Sequence, residues 1–486
     1  MSDSSNTSRR VAVIGGGITG LAAAHRLTEI APGAEISLWE AGSRLGGVLE
    51  TCSVDGLLIE RGADNFITNT PWGIDLCRRV GLGDQLLPTN HERRHAFVVC
   101  RGRLRKIPEG FVIMAPSRIW PIVATPILSP WGKVRMALEY LLPRGQVEGD
   151  ETLASFVTRR FGRETYERLV QPLVGGIYTG DPDRLSVQST MPRFVEMERS
   201  HGSLIRACWQ QAGQQRRHTQ AGSGARYSMF VAPRDGMNSM IAAIAARLPA
   251  GCVHLNSPVQ RLAPRVPGGW TLTVAGPGAE TVNYDCDAVL VATKTNAAAR
   301  LAEPLDRTLA EQLAGVHHAS CSIVSLGYRS EQVGHPLDGF GFVVPQVEHR
   351  KVLSGSFASV KYPGRAPDGK VLLRVFIGGA LQPELADLPD DQLTAIATEE
   401  LGQLLHIRGE PLLTLVSRYQ ESMPQYYVGH RARIEQIVAA TARLPGLYFC
   451  GNAFDGVGIP FCIHSAEQAA ERATKWLGLS NTGDAP

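Results

Sequence analysis

Three glycines, Gly15, Gly17 and Gly20, stand at the spacing G-x-G-x-x-G, and an acid, Glu40, follows twenty residues after the last of them. That arrangement suits a pyrophosphate. The first glycine permits a sharp turn, the second keeps side chains out of the space between backbone and phosphate, and the third lets a helix pack closely on the preceding strand. An acid at position 40 accepts hydrogen bonds from ribose hydroxyls and repels a 2′-phosphate, which favours NAD or FAD over NADP. An ordinary strand-to-helix turn also uses glycine, so the flanking elements decide. Val11–Ile14 is a β-branched run, Ile18, Leu21, Ala22, Leu27 and Ile30 recur near the helical period, and Glu35–Trp39 is a second strand ending at the acid. A helix starting beside Gly17 aims its unpaired N–H groups at phosphate. The predicted unit is Rossmann-like.

The next residues choose between cofactors. Arg44, Gly46 and Gly47 follow the acid, and Gly62, Ala63 and Asp64 open the run GADNF at 62–66. This stretch resembles the extended FAD signature of the monoamine-oxidase-like flavoproteins. In that signature Arg44 would neutralise phosphate charge, and the glycine pair would bring the chain close to the cofactor. Alone, Arg44 also suits a solvated surface charge and the glycine pair a hairpin turn. The C-terminal end matches in type. A strand reaching Cys450 leads through Gly451 and Asn452 into a glycine-rich loop with Val457, Gly458 and Ile459, and a helix follows from about Cys462 to Trp476. Its N-terminus would point the positive dipole end at the flavin's pyrimidine edge. The expected FAD cradle is therefore discontinuous, and Ile18 and Thr19 of the first helical turn belong to it.

With 486 residues the chain exceeds the size of one growing core, so two or three domains are expected. A composition 44% hydrophobic and 20% charged is globular, and a net charge of +3 makes no case for nucleic acid as partner. Nine cysteines, odd in number and without a C-x-x-C pair, suit buried thiols in a reducing cytosol. The histidines include no H-E-x-x-H arrangement, so no metal is expected. Residues 1–10 are polar, unlike a signal peptide, and residues 479–486 read as a disordered tail.

Along the chain, a helix is predicted from Thr70 towards Gly81, followed by a basic cluster at Arg93, Arg94 and His95 and a hairpin over 97–107. The stretch 111–131 is the most apolar. Arg118 and the prolines at 116, 121, 126 and 130 break any spanning helix there. With Trp120, Trp131, Lys133, Arg135 and Arg144 it suits docking on an anionic membrane face, and equally a substrate-channel wall or interdomain packing. Glu151–Val174 is predicted helical with a loop from Gly175 to Pro182, Gln210–Ala225 is a surface loop, and Val253–Leu262 is one strand. Asp287–Thr293 returns to the first sheet, and strand candidates between 319 and 419 with a helix at Asp390–Leu405 form a mixed α+β unit. The expected class is α/β plus α+β. A Rossmann-like FAD domain spans 8–92, 227–300 and 436–478, a helical membrane-associated or channel region 93–226, and a mixed-sheet substrate domain 301–435.

Further motifs are more particular. GADNF at 62–66, RDGMNSM at 234–240, GFGFVVP at 339–345, SMPQYYVGH at 422–430 and GNAFDGVGIPFCIHSA at 451–466 resemble the oxygen-dependent protoporphyrinogen/coproporphyrinogen oxidases of haem synthesis, with matching segments from Val11 to about Ala473. The resemblance implies bound FAD and three two-electron hydride transfers from a porphyrinogen to flavin N5, with dioxygen reduced to hydrogen peroxide. It implies that Gly341, Val343 and Phe376 line a substrate slot, with Phe340 and Phe342 close by. Val259 would touch the adenine through its backbone and Val457 would approach the flavin. No side chain is expected as an acid or base, since orientation and exclusion of water carry such a reaction. Without the resemblance these are ordinary strand and core residues. It also implies a ferrochelatase downstream, a dimer, and a cytoplasmic or peripheral inner-membrane location.

Two departures stand out. Ala96 occupies a place where some members carry an Arg for a substrate propionate, and Asn452 stands where related flavoproteins often have Asp. Protoporphyrinogen IX is expected ahead of coproporphyrinogen III, but the latter has four propionates to two, so a strongly cationic pocket would reverse the order. The rivals are another FAD oxidase, acting on amines or carotenoids, and a non-catalytic porphyrin carrier.

Overall fold

The β-branched run Arg10–Ile14 forms the centre of a five-stranded parallel sheet in the order Val253–His254, Glu35–Trp39, Arg10–Ile14, Ala288–Val291, Leu447–Phe449. This is a computed structural model that describes residues 8–93, 95–145, 149–210, 229–276 and 280–479. The expectations for residues 1–7, 211–225 and 480–486 lie outside the described residues. A parallel sheet needs cover on both faces, which explains its continuous apolar strands. Val11 and Val13 face the helices Ile18–Ile30, Met237–Ala245 and Ile459–Trp476. Ala12 and Ile14 face an antiparallel hairpin layer and the helices Thr295–Ala302, Arg307–Ala314 and His430–Thr441. Buried Ala22, Ala23, Ala466, Ala469, Ala470 and Ala473 let the first and last helices pack closely.

The predicted single strand Val253–Leu262 divides in two. Val253–His254 ends in the parallel sheet, Asn256 adopts a left-handed φ of 51°, and Val259–Pro264 opens a separate three-stranded sheet. Pro258 is the physical reason, since it removes a ladder donor between the two pieces.

A second sheet has seven strands in the order Leu413–Pro424, His318–Arg329, Lys370–Gly378, Ser354–Ser356, Gly339–Val343, His95–Cys100, Arg103–Lys106. Its one parallel pair joins Gly339–Val343 to His95–Cys100. The hairpin at 95–106 thus belongs to this sheet and not to the helical layer expected over 93–226. Alternation divides the faces. Leu373, Val375, Ile377, Val324 and Leu326 pack against the helix Asp390–Leu405. The opposite face carries Arg374, which reaches Gly62 and Asp64 of the nucleotide-binding unit.

The remaining layer is helical and has its own core. The expected helix Glu151–Val174 is interrupted at Gly162, where φ is 88°, and the helix Gln171–Tyr178 includes Gly175 and Gly176, assigned above to a loop. Close packing explains the difference, since a Cβ on Gly176 would lie 3.3 Å from Val343 Cγ1. Among the described residues no helix is long and apolar enough to cross a membrane.

Candidate cofactor and substrate site

The carboxyl ends of the parallel strands open into a cavity of about 810 Å³, where ligands of open α/β sheets bind. It brings together Gly15, Gly17, Ile18, Thr19, Glu40, Gly46, Gly47, Val259, Gly451 and Asn452. A Cβ on Gly15 would meet Ala292 O at 2.7 Å, and one on Gly20 would meet Gly15 O at 1.8 Å, so both glycines are required by the fold. A Cβ on Gly17 would touch nothing within 4 Å. Gly17 is also the N-cap of Ile18–Ile30, with no side chain capping the helix, so the first amides face open space where a phosphate would accept from them. Glu40 is fixed beside this turn, accepting from Gly16 N at 2.6 Å and Gly42 N at 2.7 Å.

Other expected residues sit outside the cavity lining. Arg44 donates to the carbonyls of Leu45, Gly47 and Leu49 and pairs with Glu50 at 2.9 Å, so it braces the Gly46–Gly47 turn. A tight loop presents several carbonyls at once, and a guanidinium with five donors satisfies them in place. Gly20 serves packing. Gly62 accepts from Arg374, and Ala63 is exposed. Asp64 lies 3.2 Å from Lys361 Nζ and 3.5 Å from Arg374 Nη1. Burial pushes its carboxyl up, but the two cations outweigh that and hold it below the usual carboxylate value. Val457 packs against the helical core, and Gly458 is the uncapped N-cap of the eighteen-residue helix that begins at Ile459.

The cavity also contains residues that sequence reasoning missed, notably Lys294, Asn296 and Arg300. Their signal was positional: they follow the buried strand Ala288–Val291, whose carboxyl end had to open into the crevice. Lys294 donates to Gln420 O at 2.7 Å, and burial pulls its ammonium below the ordinary lysine value.

The residues expected to line the slot divide by strand parity. Gly341 pairs with Ser356, and Val343 and Phe376 both pair with Ser354, which puts Gly341, Val343 and Phe376 on the face shared with Arg374. Phe342 is on the other face, buried with Phe97 and Phe357, so it belongs to the sheet's own core and not to the slot. Phe340 is half-buried beside the register shift at Gly339 and Gly341. Ala96 pairs directly with Gly341, so the departure from some family members falls beside that expected slot residue.

The parallel sheet, the uncapped helix start and the glycine-lined crevice define a dinucleotide-binding protein. Residues 18–474 match the family described as flavin containing amine oxidoreductase. The chain belongs to that family, and its cofactor is FAD. It is similar to the coproporphyrinogen III oxidase of Bacillus subtilis (strain 168), at 34% identity over 97% of this chain and 99% of the relative. It is also similar to the mitochondrial protoporphyrinogen oxidase of Nicotiana tabacum, at 28% identity over 99% of this chain and 97% of the relative. A crystal structure assigned as a protoporphyrinogen oxidase from Exiguobacterium sp. 255-15 superposes with a TM-score of 0.83 at 29% identity, covering 97% of this chain and 99% of that one.

Proposed function

We propose that the chain oxidises coproporphyrinogen III to coproporphyrin III in haem synthesis, with dioxygen as terminal acceptor and hydrogen peroxide as the second product. The observation that carries the choice of substrate is the buried cation Arg374 on the slot face, beside Lys361, with Asp64 as the anion the two share. It reverses the leaning towards protoporphyrinogen IX, in the same sense as the relative of highest identity reported above. Bound FAD supplies the two-electron acceptor. The chain contributes position. Gly17 and the first amides of Ile18–Ile30 hold the diphosphate, Glu40 the ribose, and Val259 the adenine edge. Asn452 donates to Ser422 O at 3.4 Å and has an oxygen free for a ribityl hydroxyl, which makes the exchange from Asp tolerable. The N-terminus of Ile459–Trp476 favours negative charge at the flavin's pyrimidine edge. Val343 and Phe376 form the apolar wall that orients the macrocycle and excludes water. We read the substrate unit as 301–435 together with the hairpin 95–106.

Anaerobic mixing tests this reading. Coproporphyrinogen III should bleach the flavin absorbance of the purified holoenzyme, and a spectrum left oxidised would refute it. The same reading includes a peripheral membrane contact. Trp120 and Trp131 are 78% and 82% exposed beside Arg118 and Lys133, an apolar and basic combination suited to an anionic surface. Co-sedimentation with phosphatidylglycerol vesicles should fall in Trp120→Ala/Trp131→Ala, and equal sedimentation of the two proteins would remove the membrane from the proposal. A ferrochelatase is the expected consumer of the product and a dimer the expected assembly.

A further inference from the structure

One transverse row of the seven-stranded sheet crosses the slot face. Its register runs Ala96, Gly341, Ser356, Arg374, Ser325. The next row on the same face is Val98, Val343, Ser354, Phe376, Ile323. The second row is apolar apart from Ser354, whereas the first changes from small residues to polar ones in its middle. Ser356 Oγ, Arg374 Nε and Ser325 Oγ in that row have no hydrogen-bond partner among the described residues. Arg374 is 1% exposed and Ser325 is fully buried. A buried donor left unpaired forfeits its desolvation energy, so three in one row call for an explanation. The other guanidinium nitrogens of Arg374 are engaged, Nη2 with Gly62 O and Nη1 facing Asp64 at 3.5 Å. Its Nε edge is what remains, and Ser356 is the residue directly opposite across the strand pair. Directly opposed residues have Cβ atoms about 5 Å apart, close enough for both to reach one carboxylate. Asp64 is shared between Arg374 and Lys361.

We propose that Ser356 and Arg374 form the seat of a propionate that coproporphyrinogen III has and protoporphyrinogen IX lacks. The inference rests on the porphyrinogen-oxidase reading above. The seat places a cation in the same row as Ala96, three strands away. Arg374 Nε and Ser356 Oγ donate to the carboxylate, a charge-assisted arrangement stronger than a neutral pair. The Phe376 ring, with its centroid 5.4 Å from the Arg374 guanidinium carbon, continues the apolar wall from the anionic seat. Protoporphyrinogen IX carries vinyl groups in place of two of the propionates, and a vinyl at this seat leaves both donors as unpaired as they are in the free protein, whereas a propionate pairs them. A site built to hydrogen-bond one substituent rejects the analogue lacking it far more strongly than an apolar pocket rejects a change of size.

The test compares kcat and KM for both porphyrinogens in the wild-type holoenzyme, Ser356→Ala and Arg374→Met, with FAD content and flavin reduction potential measured in each. The expected result is a fall of about a hundredfold in the ratio of kcat/KM for coproporphyrinogen III to that for protoporphyrinogen IX in Arg374→Met, carried mainly by KM, and about tenfold in Ser356→Ala. An unchanged ratio overturns the seat, and so does a shifted flavin potential with KM unaltered, which would assign the row to the cofactor. Should Arg374→Met fail to fold, Ser356→Ala and Arg374→Lys decide by the same ratio. Fluorescence titration with coproporphyrin III and mesoporphyrin IX reads the seat without turnover. Wild type that binds the first more tightly yet oxidises neither porphyrinogen refutes the activity and leaves the seat standing, while equal affinities refute the seat.

Discussion

Two Gly-x-Gly segments, Gly15–Gly17 after the first strand and Gly339–Gly341 in the seven-stranded sheet, serve opposite purposes. In the first, the second glycine borders open space, and an added Cβ on Gly17 meets no atom within 4 Å. In the second, both glycines are pressed by neighbouring strands: a Cβ on Gly339 would lie 2.4 Å from His95 O, and one on Gly341 2.1 Å from Gly355 O. Gly341 is small for the sheet, whereas no neighbouring atom requires Gly17 to be small. A glycine in a motif is therefore a statement about crowding, and only the neighbouring atoms say what does the crowding.

Substitutions sharpen the contrast. Gly20→Ala should have the largest effect, because its Cβ would enter the backbone at Gly15; a loss beyond about 4 kcal/mol in a denaturant melt is expected, and a variant within about 1 kcal/mol of wild type would break the packing argument. Gly17→Val should fold normally and purify colourless, with FAD affinity reduced by more than about 3 kcal/mol, roughly a hundredfold or more in Kd. A yellow, fully loaded Gly17→Val would show that the open side is not where the cofactor lies. Gly341→Ala should do the reverse, losing about 2 kcal/mol of stability by thermal melt while still retaining FAD. Colourless Gly341→Ala protein would erase the distinction. Phe376→Ala, the mildest, should lower kcat/KM for the porphyrinogen about tenfold with FAD still bound, and unchanged kinetics would remove Phe376 from the slot.

The nucleotide-binding half was legible because its signals are local. Gly15 to Glu40 carries turn, helix period and acid within one β-α-β unit, and each element there has the predicted type. The slot is different in kind. Its polar row exists only through pairing of residues far apart in sequence, Ala96 with Gly341 and Ser356 with Arg374, which no window of the chain displays. The same non-locality misled the reading of Phe342, since an aromatic between two slot residues points the opposite way by strand parity. Gly176 was misread for a third reason, one that also gives Arg44 a bracing use the sequence does not display. A charge beside a glycine pair and a glycine pair after a helix both have two physical uses, and the choice lies with carbonyls and strands that sequence does not position.

The helix Ile18–Ile30 finds its main partner in Ile459–Trp476, at the other end of the chain. During synthesis the ribosome therefore releases the amino-terminal portion long before the surface that buries its alanines has been translated. Until then those residues stay exposed and in need of protection, because large proteins in this state are prone to aggregate. A nonsense mutation late in the gene would consequently forfeit the pigment-binding half as completely as an early one.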